Sequence, residues 1–130
     1  MENTLIKELK IKNFLMKEQN LILDKSYSFG LRIVKLYMYL RKQKIERELI
    51  IQLLKSGTSV GANVEEAIGG QSRSDFIHKI SIAYKVARET SYWLRLLNDS
   101  EILENKISLS FLKDIEELKK SFQQYLKQPN

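Results

Sequence analysis

His78 is the only histidine of this 130-residue chain, and cysteine is absent. No thiolate is therefore available as a nucleophile or as a soft metal ligand. A serine nucleophile would have to use His78 as its base, and no nucleophile elbow is present, since Gly57-Thr58-Ser59-Val60-Gly61 lies within an unbroken helical pattern rather than at a strand-to-helix turn. Asp75 and His78 stand three apart, on one face of any helix that holds them, which is half of a Glu-x-x-His metal motif. A di-metal site in a helical bundle needs a second such pair and two more carboxylates. Glu65 and Glu66 are adjacent, so on a helix they point about 100° apart and cannot share a proton. Gly69-Gly70-Gln71-Ser72-Arg73 resembles a phosphate loop in composition but lacks the Gly-Lys-Ser/Thr ending. The sequence thus predicts no catalytic residue, no metal site and no cofactor.

Two other sets of side chains carry polar chemistry. The first is a track of Leu49, Gln52, Ser56, Ser59, Asn63 and Glu66, spaced 3-4-3-4-3. Beside it, at the same spacing, runs an apolar track of Ile50, Leu53, Gly57, Val60, Val64 and Ala67. Residues three and four apart share a helix face, so one helix carries an apolar stripe next to a stripe of small and polar groups. An unpaired buried polar group costs about 1–3 kcal/mol. The polar stripe is either a satisfied packing seam or a ligand site. The seam is the preferred reading, with Ser56, Ser59, Asn63 and Glu66 as structural residues and Asn63 and Glu66 hydrogen-bonding between helices.

The second set is Lys25, Arg32, Lys35, Tyr39 and Lys42, a basic stripe with one aromatic. It can meet phosphates and stack a base; it can equally be a solvated outer face. Residues 1–55 hold 12 Lys and Arg against 6 Asp and Glu, whereas residues 56–130 hold 10 of each, so the whole net charge of +6 lies in the first part. Such asymmetry points to an acidic partner, nucleic acid above all.

These residues need helices to position them. Hydrophobic content of 43% with 29% charged residues is that of a globular domain, and the length fits one domain. Five glycines and one proline, Pro129 near the end, leave long helices uninterrupted. Residues 1–20 are weakly patterned and are read as an N-terminal extension, a short amphipathic helix at most. Residues 21–130 are read as the domain. The first long helix is predicted from Asp24 to about Lys42, capped by Asp24 or Ser26, with Phe29, Ile33, Leu36 and Leu40 inward, Val34 and Tyr37 widening the stripe, and Gly30 closely packed. The second runs from about Gln43 to Gly69, unbroken at Gly57, and stops at Gly69-Gly70 in the left-handed conformation. The third runs from Ser74 to Asn98 behind a Ser72/Asp75 capping pattern. The fourth runs from near Ser108 to about Leu126. On the third helix Phe76, Ile80, Ala83, Ala87, Thr90, Leu94 and Leu97 form a packing seam. Ile82, Tyr84, Val86, Tyr92, Trp93 and Leu96 add an apolar arc wider than one core needs, which suggests a subunit interface. The expected fold is all-α, an antiparallel up-down four-helix bundle that assembles as a homo-oligomer. No apolar run spans a membrane and no signal peptide is visible at the first residues, so the expected location is the cytoplasm.

Ser56-x-x-Ser59-Val60-Gly61-Ala62-Asn63-Val64-Glu65-Glu66-Ala67, with Asp75-Phe76-Ile77-x-Lys79-x-x-Ile82-Ala83-x-Lys85 and Ala87-x-Glu89-Thr90-x-Tyr92-Trp93-Leu94, resembles the four-helix-bundle family of 23S rRNA intervening-sequence proteins. Asp24-Lys25-Ser26-Tyr27-x-Phe29 and Ile33-Val34-x-Leu36-Tyr37 extend the likeness over roughly residues 20–126. The resemblance implies an up-down bundle, a homopentamer and no assigned enzymatic activity. At the level of fold, the bundle is also similar to the accessory variability protein of diversity-generating retroelements, a basic pentamer associated with nucleic acid. Val86 departs from the glutamate usual in the family, and residues 1–15 have no family counterpart. Two functions stay open: a non-catalytic oligomer that binds RNA or DNA through its basic half, and a protein-interaction scaffold whose charge serves solubility.

Overall fold

The computed structural model describes residues 3–128; Pro129 lies outside them. Four helices follow one another: α1 (Thr4–Arg41), α2 (Arg47–Ile68), α3 (Arg73–Asp99) and α4 (Asn105–Leu126). Among the described residues there is no strand. Short loops join the helices, each packs on the next, and α4 closes against α1, which gives the expected up-and-down bundle.

The heptad residues read from the sequence form the core. Ile33, Val60, Val64, Ile80, Ala83, Ala87, Leu94, Ile115 and Phe122 are fully enclosed. Phe29 of α1 meets Phe111 of α4 edge to face at 6.1 Å, and Phe76 meets Tyr125 the same way at 5.3 Å. Truncating any one of these large side chains removes about 2–5 kcal/mol. Leu103, in the loop before α4, is buried as well.

The first helix differs from expectation. It starts at Thr4, not Asp24, and its cap is Asn3, whose side chain accepts from the Ile6 N–H at 2.9 Å. A short helix alone is marginal because nucleation is costly. Residues 4–21 bear no such cost, because they continue a helix already held by the core from Ile22 onward. Nothing between Thr4 and Arg41 breaks it, and Ser26 turns its hydroxyl back to Leu23 O at 3.1 Å instead of capping. At about 1.5 Å per residue the helix is roughly 57 Å long, and its side chains from Thr4 to Phe14 are exposed. Val34 is also exposed rather than core-facing, and a methyl group placed on Gly30 would meet nothing within 4 Å.

Glycine does its packing on α2. A Cβ on Gly57 would lie 2.8–3.0 Å from three carbons of Ile33, and one on Gly61 would lie 3.1 Å from the carbonyl oxygen of Ser26. These two positions let α1 and α2 approach closely, as the small-residue pattern implied. The predicted left-handed stop at Gly69-Gly70 is not used, since Gly69 keeps a φ of −77°. Left-handed residues appear instead at Lys44 (φ 57°) and Glu101 (φ 63°). Around Glu101 the α3 terminus closes with paired bonds, Ile102 N to Leu97 O and Glu101 N to Asn98 O, both 3.0 Å. At the other end of α3, Ser72 caps as expected, accepting from Asp75 N at 3.1 Å.

Candidate nucleic-acid interface

The basic stripe of α1 lies along the seam with α4, and its two ends differ. At the lower end, Lys25 and Arg32 share a hollow of about 280 Å³ with Asp24, Asp114 and Glu117. Arg32 is committed there. Its guanidinium pairs with the Asp114 carboxylate, donates to Ser110 Oγ at 2.9 Å, and sits 4.0 Å over the Phe111 ring centre. The lower end is thus charge-compensated by α4. Helical spacing alone puts Arg32 on the basic stripe and does not show this partner, because the α4 carboxylate lies 82 residues away.

At the upper end no carboxylate is among the residues that line the groove. Lys35 and Tyr39 flank a shallow groove of about 320 Å³ whose other walls are Arg32, Leu36, Ile107 and Phe111. Tyr39 is 50% exposed, and Lys35 and Lys42 are exposed. Lys35 and Lys42 make no ion pair among the described residues. The stripe therefore narrows to Lys35, Tyr39 and Lys42, with Lys25 on its compensated margin.

The polar track of α2 resolves residue by residue. Ser56 Oγ donates to Leu53 O at 3.4 Å, Ser59 Oγ to Lys55 O at 2.6 Å, and Asn63 Nδ2 to Ser59 O at 2.9 Å. All three satisfy themselves within their own helix, where the sequence reading had Asn63 bridging to another. Glu66 does reach across, to Lys79 Nζ of α3 at 2.8 Å. Besides the Arg32 ties from α1 to α4, inter-helix polar ties that the sequence did not single out lie between α3 and α4. Ser108 Oγ donates to Leu94 O at 3.2 Å, and Gln123 Nε2 donates to Tyr84 OH at 2.9 Å.

His78 is exposed on α3, and among the described residues no three His, Asp or Glu side chains gather at metal-binding distance. No helix among the described residues is long and apolar enough to cross a membrane. Beside the core, Tyr27, Leu31, Val34 and Met38 of α1 are exposed at 67, 46, 41 and 49%. Tyr27, Leu31 and Val34 border a groove of about 380 Å³ that Gly30, Gly61 and Ala62 also line. Of the apolar arc of α3, Tyr92 and Leu96 are exposed, while Val86 and Trp93 pack against the core edge.

The family model of the 23S rRNA-intervening sequence proteins matches residues 18–124. The chain belongs to that family. It is also similar to a solved protein of unknown function of the S23 ribosomal protein family from Bacteroides thetaiotaomicron, with 42% identity and a TM-score of 0.82. That likeness covers 85% of this chain and 99% of the other. No curated protein matches. The family match begins at residue 18, so the exposed start of α1 precedes it.

Proposed function

We propose that this member of the family is a non-catalytic, self-associating bundle that binds RNA or DNA weakly through the basic surface of α1. The observation that carries the proposal is the upper end of the α1 stripe, where Lys35 and Tyr39 border the groove and Lys42 is exposed beyond it; neither lysine forms an ion pair among the described residues, and Tyr39 offers an aromatic surface between them. Cations of this kind take phosphates and release counterions, and a tyrosine stacks on any base. No base-reading motif is visible in the sequence, so binding is expected to be sequence-independent. Self-association rests on the exposed Tyr27, Leu31, Val34 and Met38 stripe, and the resemblance supplies five as the number of copies. A ring multiplies a weak patch through effective concentration. The expected location is the cytoplasm.

The test is charge reversal, Lys35→Glu with Lys42→Glu, in a protein whose fold and assembly are checked by circular dichroism and light scattering. Loss of RNA and DNA binding supports the proposal. Unchanged binding removes this patch from it. The scaffold reading is favoured by the same exposed apolar stripe, and it stands if the unaltered protein binds neither nucleic acid at low salt.

A further inference from the structure

The second part of the chain is neutral by count, with 10 Lys and Arg against 10 Asp and Glu over residues 56–130. Its cations are nevertheless concentrated by the fold. Lys85, Arg88, Tyr92 and Arg95 follow at spacings of 3, 4 and 3, so they share one side of α3. Lys119 approaches from α4, and together they line a groove of about 640 Å³ between the two helices. Two carboxylates, Glu89 and Glu116, share the groove. Glu116 is already engaged, accepting from Lys119 Nζ at 2.9 Å and from Ser91 Oγ at 3.3 Å. Lys85 and Arg95 make no ion pair among the described residues. Tyr92 is 50% exposed, and an edge-to-face contact with Trp93 at 5.2 Å restrains its ring.

We propose that this groove is a second nucleic-acid site, one that takes single strands. Lys85, Arg88 and Arg95 contact backbone phosphates, and Tyr92 stacks a base. The inference rests on the nucleic-acid reading above and adds a surface that α1 does not supply. The single strand is preferred for two physical reasons. Neighbouring helices stand about 8–10 Å apart, so the groove between them admits one backbone more readily than a duplex. A duplex also keeps its bases paired and leaves Tyr92 nothing to stack on. Lys85 and Arg95 are ten residues apart, about 15 Å along the helix axis, so each protomer covers a short stretch of strand.

The experiment measures fluorescence anisotropy of labelled oligo-dT and oligo-rU with the full chain across a salt series. Three variants accompany the wild type: Lys85→Glu with Arg95→Glu, Tyr92→Ala, and the α1 pair Lys35→Glu with Lys42→Glu. Lys85, Arg95 and Tyr92 are exposed, and circular dichroism checks that folding is intact. Lys85→Gln with Arg95→Gln replaces the reversal if the reversed chain fails to fold. The α3 reversal is expected to weaken binding at least about tenfold and to flatten the log–log salt slope by about 1.4, or about 0.7 for each phosphate no longer neutralised. Tyr92→Ala is expected to weaken binding about tenfold with the slope unchanged. If the α3 variants bind like wild type while the α1 pair loses binding, the groove proposal is overturned and the α1 reading stands. If wild type binds neither oligonucleotide at low salt, both fall. A duplex bound as tightly as the single strands overturns the proposal as well.

Discussion

Gly57→Ala tests the closest approach in the bundle. The added methyl would stand 2.8, 2.9 and 3.0 Å from Cγ1, Cγ2 and Cδ1 of Ile33. Carbon pairs rest at about 3.5–4.0 Å, so each contact overlaps by roughly 0.5–1 Å. Ile33 is 0% exposed and branched at Cβ, which fixes its rotamer in a helix, so it cannot swing aside. Overpacking of this kind costs about 1–3 kcal/mol, and alanine's better helix propensity returns about 1 kcal/mol. With three simultaneous overlaps the cost lies in the upper part of that range, leaving a net loss of about 1–2 kcal/mol. For a chain of this size that lowers Tm by roughly 4–8 °C. Urea and thermal unfolding, followed by far-UV circular dichroism at one protein concentration, measure it. Ile33→Ala alone should cost about 2–5 kcal/mol. In the double variant the methyl enters the space left by Ile33, so the two effects should fall short of additivity by at least about 1 kcal/mol. Gly30→Ala, with nothing within 4 Å, should instead gain up to about 1 kcal/mol. A Gly57→Ala protein more stable than wild type, or strict additivity with Ile33→Ala, refutes the close-approach argument.

Three further outcomes are expected. The Tyr125 hydroxyl is buried without a hydrogen-bond partner among the described residues, so Tyr125→Phe should leave stability unchanged or raise it by about 1 kcal/mol, read by urea unfolding. Burial first, and then Glu18, holds the Tyr125 pKa above its ordinary 10.0, against an opposing pull from Arg73. The folded state therefore keeps this proton longer than the unfolded state; the contribution is present below pH 10.0 and is lost as pH rises through the raised folded value. An absorbance titration should find one phenolate forming late, and Tyr125→Phe should remove it. Asp114→Asn should release Arg32 into the α1 surface and raise nucleic-acid affinity, whereas Arg32→Ala should lower affinity little; the half-exposed pair itself is worth about 1 kcal/mol or less of stability. A chain beginning at Met16 should unfold at nearly the wild-type Tm, because the side chains from Thr4 to Phe14 are exposed; a large drop would show that they pack in the assembled protein.

Periodicity made much of this fold legible. Strings such as Phe76–Ile80–Ala83–Ala87 and Phe111–Ile115–Leu118–Phe122 repeat at helical spacing, and all are buried. The passage of α2 straight through Gly57 was legible for the same reason, since both tracks keep phase across it. The ends of helices were less so. A cap residue permits a start but does not impose one, so Asp24 and Ser26 misplaced the beginning of α1 while Asn3 supplied it. Left-handed turns fell on Lys44 and Glu101 rather than on the glycines, because the loop closures there demand a positive φ whatever the residue.

The candidate sites divide the same way. Exposure of Lys35, Tyr39 and Lys42 follows from their helical positions relative to the core. The capture of Arg32 by Asp114 does not, because it depends on which helix closes against α1. The α3 cluster of Lys85, Arg88, Tyr92 and Arg95 was present in the spacing but hidden by a regional charge count of zero. Net charge over a segment averages away a stripe that the helix assembles.

On the function proposed above, nucleic acid is held by charge compensation rather than by base reading. A salt titration of wild-type protein against unrelated RNA and DNA sequences measures that most directly. Binding at low salt, similar for all sequences, with log affinity falling by about 0.7 per single-strand or 0.9 per duplex phosphate for each tenfold rise in salt, is the predicted result. No binding at low salt, or affinity that ignores salt, would contradict it.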